Sequence, residues 1–169
     1  MANLSLVQYA GSRTALDIPS YLSGFFDGEG CFSISLSPRS KLRVGWEVRP
    51  SISASQNEER SEVIRLTQAY FDCGTIRRDS GDRTVKWEVR SLTVLRDRVN
   101  PHFHAWPMLS AKQHDFELFD DVCDRMEAGD HLNAKGLSEI VRIVSDMNPS
   151  GIRRFDLDEI LNELSEMKA

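Results

Sequence analysis

The sequence predicts an α+β fold in which helices accompany one four-stranded antiparallel sheet. Three observations predict it. The apolar period is helical from residue 18, changes to two at residue 32, returns to helical near Asn57, and changes to two again at Thr75. Each period-two stretch is split by a turn-forming cluster, which makes it a hairpin. Nearly everything after Arg90 has helical period, so helices follow the strands instead of alternating with them.

The elements follow in order. Residues 1–16 have no period and are expected to form an extended N-terminal arm, with residues 17–169 making a single domain large enough for one core. Asp17 can N-cap a helix with Pro19 in its first turn. That helix carries Ile18, Tyr21, Leu22, Phe25 and Phe26 and ends at Gly28-Glu29-Gly30. The two glycines are expected to adopt backbone angles other residues avoid, pushing Glu29 out at a helix-to-strand corner. A carboxylate presented there suits a hard cation, and the Gly28 carbonyl could join it. The alternating ligands of an EF-hand calcium loop are absent after Glu29.

In the first hairpin Phe32, Ile34 and Leu36 alternate with Ser33, Ser35 and Ser37. After a basic turn at Pro38-Arg39-Ser40-Lys41, residues Val44, Trp46, Val48 and Ile52 alternate with Gly45, Glu47, Arg49, Ser51 and Ser53. A helix then opens near Asn57, with Val63, Ile64, Leu66, Thr67, Tyr70 and Phe71 facing inward, and ends at Cys73-Gly74. The second hairpin pairs Thr75–Asp79 with Thr84–Arg90 around Ser80-Gly81-Asp82. A short helix from Ser91 to Val99 stops before Pro101, and helices follow over about 108–128, 134–147 and 157–167, the last with an Asp156/Glu159 capping box. The polar parity places Ser33, Ser35, Ser37, Arg39, Arg43, Glu47, Arg49, Ser51, Ser53, Thr75, Arg77, Asp79, Thr84, Lys86, Glu88 and Arg90 on the open face of the sheet. Such a set can bond phosphates and read base edges; a plain solvated face is the alternative.

Composition narrows the class. Hydrophobic residues make up 40% and charged residues 28% of the 169, an ordinary balance for a soluble globular protein. No run of about 18 apolar residues is present, and the first ten residues carry no signal-peptide pattern. Cys31, Cys73 and Cys123 are odd in number and far apart, which fits thiols of a reducing, intracellular compartment: cytoplasm, nucleoid or organelle matrix. His102 and His104 lack a partner cysteine at zinc spacing and read as packing or loop residues. The net charge of −5 argues against nucleic acid, but its distribution does not: residues 36–98 hold 13 Lys/Arg against 9 Asp/Glu, whereas residues 113–169 hold 6 against 14. A phosphate-facing surface would therefore come from the middle of the chain.

Leu22-Ser23-Gly24-Phe25-Phe26-Asp27-Gly28-Glu29-Gly30 resembles the nine-residue motif of LAGLIDADG homing endonucleases. Leu22, Gly24, Asp27, Gly28, Glu29 and Gly30 agree with it, Ser23 replaces Ala, and Phe25 and Phe26 keep the apolar character. The element order αββαββα with further C-terminal helices is similar to the family core, and the likeness covers about residues 18–147. Gln56-Asn57-Glu58-Glu59-Arg60 looks like the segment where single-motif members place a Gln and an Arg near the active site. Pro107 to Gln113 looks like the segment carrying an active-site Lys, here Lys112.

The resemblance implies a nuclease that cuts both strands of a long DNA site with Mg²⁺, for which Mn²⁺ or Ca²⁺ can substitute in binding. Glu29, Gln56, Arg60 and Lys112 would be its catalytic residues. Glu29 and the Gly28 carbonyl would bind the metal, Gln56 would orient water, and Arg60 and Lys112 would stabilise the charged phosphate. Asp27 would end the helix or make structural hydrogen bonds. With one motif per chain, the resemblance implies a homodimer whose motif helices pack at Tyr21, Leu22, Gly24, Phe25 and Gly28, since residues without side chains permit close approach. Its sheets would cradle double-stranded DNA at a near-palindromic site, and no membrane would be involved. The absence of a closing His-Asn pair points to an intron-encoded or free-standing nuclease, not an intein. The alternatives are a non-cleaving relative, either an RNA maturase or a sequence-specific DNA-binding protein, and a small interaction domain whose Gly corner is structural.

Overall fold

The computed structural model describes residues 6–8, 15–79, 81, 83–148 and 153–167, of which 6–8, 15 and 79 are described by backbone alone. Two short strands, β1 (Leu6–Gln8) and β2 (Ala15–Asp17), pair antiparallel with Val7 opposite Leu16. The described part of the expected extended arm is therefore a hairpin leg; the rest of the arm lies outside the described residues.

Helix α1 spans Ile18–Glu29, with Asp17 at the N-cap position and Pro19 in the first turn. The Asp17 carboxylate accepts from the Ser20 hydroxyl (2.6 Å) and makes no bond to a backbone amide. Strand β3 (Gly30–Pro38) begins with no intervening residue. The expectation that Gly28 and Gly30 need unusual backbone angles fails, because Gly28 is helical and Gly30 is extended at φ −74°. Gly30 is required for space: a Cβ there would lie 2.5 Å from the Phe26 carbonyl oxygen and 2.8 Å from its ring.

Strand β4 (Trp46–Asn57) is followed by a 3-10 turn (Glu58–Arg60) and helix α2 (Glu62–Phe71). Gln56 and Asn57 thus end a strand instead of opening a helix. The Asn57 amide donates to Gln56 Oε1 (2.8 Å), and the Asn57 side chain accepts from the Glu59 amide (3.4 Å), so side chains close the strand and start the turn. Helix α2 exits through Asp72, at φ 49°, and Gly74, at φ 84°. A Cβ on Gly74 would meet the Trp87 indole nitrogen at 2.3 Å, so this position needs both the angle and the space.

Strands β5 (Thr75–Asp79) and β6 (Thr84–Val89) pair antiparallel with Ile76 opposite Trp87, and β4 pairs antiparallel with β6 with Ala54 opposite Trp87. The sheet order is β3-β4-β6-β5. Helical structure then runs on without stopping at Pro101: α3 (Leu92–Val94), a π-helical turn (Leu95–Val99) and α4 (Asn100–Ala105). Pro101 falls in the first turn of α4, where its missing amide proton and ring are tolerated. The remaining helices are α5 (Lys112–Glu127), α6 (Ala134–Asp146) and α7 (Leu157–Glu166), the last capped by Asp156 accepting from the Asp158 amide at 2.8 Å. No helix among the described residues is long and apolar enough to cross a membrane.

The chain divides into two compact units. The first comprises Met1–Cys31 and Ile52–Gln113. Its core is aromatic: the Phe26 ring packs edge-on against Phe71 (6.2 Å), Trp87 (5.8 Å) and Phe103 (5.2 Å), while Phe71 stacks on Trp87 (5.4 Å). The second comprises Phe32–Ser51 and His114–Ala169, where Phe32 packs against Phe116 (5.4 Å) and Phe119 (5.8 Å) above buried Leu137, Ile140, Val141 and Leu164.

Candidate active site and nucleic-acid face

Helix α1 presents three faces, each set by the i, i+3, i+4 spacing of a helix. Ile18, Leu22 and Phe26 are fully buried in the core of the first unit. Tyr21, Gly24, Phe25 and Gly28 form an open face: Tyr21 is 42% exposed, Phe25 is half-buried, and a Cβ on either glycine would meet nothing within 4 Å. Leu22, expected at a dimer seam, therefore belongs to the core, because its position on the helix points it inward with Ile18 and Phe26.

Ser23 and Asp27 form the third face, and they and Gly30, which follows the helix, are bonded to the segment 106–112. The Ser23 hydroxyl donates to the Trp106 carbonyl (2.6 Å) and lies 3.1 Å from His102 Nε2. Since its one proton goes to Trp106, Nε2–H of His102 is the donor to Ser23, and Nδ1 accepts from the Tyr70 hydroxyl (3.0 Å). Burial pushes the His102 pKa down to about 4, which keeps this ring neutral. His102 is a packing residue, as its sequence context suggested.

The Asp27 carboxylate accepts from the Ser110 amide (3.2 Å to each oxygen) and from the Ser110 hydroxyl (2.5 Å). The Ser110 oxygen accepts in turn from the Lys112 amide (3.1 Å), and Lys112 Nζ donates to the Gly30 carbonyl (2.7 Å). Glu29 sits between these two tied residues, exposed, with no hydrogen-bond or ion-pair partner among the described residues. The Gly28 carbonyl is among the last four of the helix, which lack an intrahelical donor.

Of the four residues expected to be catalytic, Glu29 ends α1 and Lys112 bonds the carbonyl of the next residue, Gly30. Gln56 and Arg60 have no bond to either one among the described residues: the Gln56 carbonyl is engaged by Asn57, and Arg60 is exposed in the 3-10 turn. Ser110 and Ser23 were not expected as site residues. Ser23 had a local signal, its polar side chain one turn before Asp27 on the same helix face; Ser110, 83 positions from Asp27, had none.

The open sheet face follows the expected parity, with two exceptions. In the second unit Ser33, Ser35, Ser37, Arg39, Arg43, Glu47, Arg49 and Ser51 are exposed or half-buried. Glu47 accepts from Arg49 (2.7 Å) and lies 3.9 Å from Arg39. The Arg49 hydrogen bond, with the charges of Arg49 and Arg39, holds its carboxyl below the usual range. In the first unit Thr75, Arg77, Thr84, Lys86 and Arg90 are exposed or half-buried, and the Asp79 side chain lies outside the described residues. Ser53 (5% exposed) and its cross-strand partner Glu88 (8%) are covered, which corrects their assignment as surface contacts. Glu88 is covered because it gathers three cations: Arg77 (3.1 Å), Lys86 (3.3 Å) and Arg90 (2.9 Å). Burial alone would raise its pKa, but the bonds and charges of Lys86 and Arg90 outweigh it and the carboxyl is held low.

The sequence pattern of the LAGLIDADG endonuclease family matches residues 22–123, more than half of the chain. "Probable intron-encoded endonuclease 2" of Neurospora crassa is 29% identical over 131 residues, covering 77% of this chain and 29% of the relative. This chain thus spans under a third of that relative's length. Among solved structures, a homing endonuclease, I-TnaI, is 28% identical with a TM-score of 0.75, over 88% of this chain and 97% of that one. I-SmaMI, solved on an uncleaved DNA target with calcium ions, is 26% identical with a TM-score of 0.77, over 88% of this chain and 49% of that one.

Proposed function

Because the chain belongs to the LAGLIDADG endonuclease family, we propose that it cuts both strands of double-stranded DNA at a long, near-palindromic site, as a homodimer and with Mg²⁺. The observation that carries this reading is the end of α1, where Glu29, with no partner among the described residues, is followed by a carbonyl that holds a lysine ammonium.

The donor set fits a hard divalent cation. Among the described residues no group of three or more His, Cys, Asp or Glu could hold a metal, and Glu29 is an exposed carboxylate at the end of α1. Mg²⁺ is commonly held by one or two carboxylates, with substrate phosphate and water completing the shell, whereas zinc sites need three or four protein ligands. Glu29 and the Gly28 carbonyl would hold the ion, which when bound neutralises phosphate charge and activates water. The remaining chemistry falls to the chain. Lys112 carries a positive charge to the same helix end, where it stabilises charge developing on the phosphate. Arg60 supplies a second cation once DNA is seated, and the free amide end of Gln56 orients water. Arg39, Arg43, Arg49, Arg77, Lys86 and Arg90 bind phosphates and base edges, with the serines of β3 beside them.

The homodimer rests on two supports. One copy of this fold matches I-TnaI nearly whole and I-SmaMI by about half, so a second copy would supply the other half of the longer enzyme. The open face of α1, with Tyr21, Gly24, Phe25 and Gly28, offers an apolar strip without bulky side chains at its glycines for a second helix. The experiment is cleavage of a randomised duplex library with Mg²⁺ and with EDTA. Double-strand cuts at one recurrent near-palindromic site, lost in EDTA, are expected; binding without cutting would overturn the enzyme reading.

A further inference from the structure

We infer that Asp27 is a positioning residue for Lys112, acting through Ser110; this rests on the reading of Lys112 proposed above. Bonds at three points tie the segment 106–112 to α1 and the corner that follows it, at Ser23, Asp27 and Gly30. The middle one differs from the others in chemistry. Asp27 takes both the amide and the hydroxyl proton of Ser110, which orients the hydroxyl so that its lone pair meets the Lys112 amide. That bond fixes the first residue of α5, and from there the lysine stem reaches the Gly30 carbonyl at 2.7 Å.

A lysine side chain has four rotatable bonds and a compact, strongly hydrated charge, so left alone it samples many positions. Holding its backbone from one side and its ammonium from the other restricts it to the end of the motif helix, at the carbonyl of the residue after Glu29. The two acids of the motif then have separate tasks. Asp27 is turned toward Ser110 and serves the lysine, while Glu29, two residues on, has no partner among the described residues. A misplacement of about 1 Å in a catalytic group can cost about a hundredfold in rate, so a carboxylate that never touches DNA can still control cutting.

The test has a readout that does not require activity. In the DNA-free protein, labelling of lysine amines by an acylating reagent is followed residue by residue by mass spectrometry, with exposed Lys135 on α6 as the internal reference. Lys112 should label several-fold faster, relative to Lys135, in Asp27→Asn and in Ser110→Ala than in the wild type. Ser110→Ala removes a single oxygen, so it serves if Asp27→Asn fails to fold by circular dichroism. An unchanged ratio in the folded variants would overturn the inference. The second readout separates this inference from the proposed function. At saturating DNA and Mg²⁺ both variants should lose roughly 10- to 100-fold in single-turnover rate, with DNA affinity unchanged within about threefold. If the wild type cuts and the variants keep its rate, the positioning role is wrong; if the wild type does not cut, the proposed function falls while the labelling result stands.

Discussion

Asp27 and Glu29 lie on the same helix, two residues apart, and their surroundings are opposite. Asp27 accepts three hydrogen bonds from Ser110, whereas Glu29 accepts none among the described residues. The helix period makes the difference: position 27 shares a face with Ser23 and Gly30, where the 106–112 segment lies, and position 29 falls off that face at the corner into β3. The comparison teaches that two acids of one motif need not share a task. A carboxylate with satisfied hydrogen bonds is a structural anchor, and a free one is available to a cation or a substrate.

The largest expected effect comes from the free acid. Glu29→Gln should lower cleavage by about a hundred- to a thousandfold, as for removal of a strong electrostatic contributor, while a gel-shift assay reads unchanged DNA binding. Thermal stability should barely move, since nothing in the described structure is bonded to Glu29.

The closed face gives a pH-dependent stability. His102 has a folded pKa of about 4, below the 6.5 of a free histidine, so the unfolded chain binds its proton first. Stability is complete above about pH 6.5, falls as the pH drops toward 4, and levels off below that; the full loss is about 3 kcal/mol. Chemical denaturation between pH 7 and 4 checks this, and His102→Gln should flatten that part of the profile.

Two glycines, one within the helix and one just past its end, sharpen the contrast. Gly30→Ala places a methyl against the Phe26 carbonyl and should destabilise by roughly 1–3 kcal/mol. Gly24→Ala meets nothing within 4 Å and should be neutral or stabilise the protein by up to about 1 kcal/mol. Gly24→Leu should leave a folded protein that sediments as a monomer. The smallest effect is on the sheet. Glu88→Gln frees Arg77, Lys86 and Arg90 from their shared anion. Non-specific DNA binding should tighten, and its dependence on log salt should steepen by up to about one unit.

Much of this was legible in the sequence because period and turn chemistry are local. The hairpins, the inward residues of β3, the exit from α2 at Cys73-Gly74 and the place of α1 all follow from them. The misreadings have non-local causes. Gly30 looked like a residue chosen for backbone angle, but its constraint is the Phe26 carbonyl, one turn back and visible only once the strand leaves the helix. Glu88 had the right parity for the open face, yet cations from β5, from β6 and from Arg90 just past β6 cover it. Pro101 looked like a stop, but a π-helical turn places it at the start of the next helix. Lys112 was recognisable by resemblance; its tie through Ser110 to Asp27 crosses 83 positions of sequence and carries no local signal.

The most direct test of the division between the two acids is a Mg²⁺ titration of single-turnover cleavage with Glu29→Gln and Asp27→Asn on the same duplex. The account predicts that Asp27→Asn keeps the wild-type half-saturating Mg²⁺ concentration with a lower plateau, and that Glu29→Gln reaches no measurable plateau. The contradicting result is Asp27→Asn recovering the full wild-type plateau at higher Mg²⁺, which would make Asp27 the metal carboxylate.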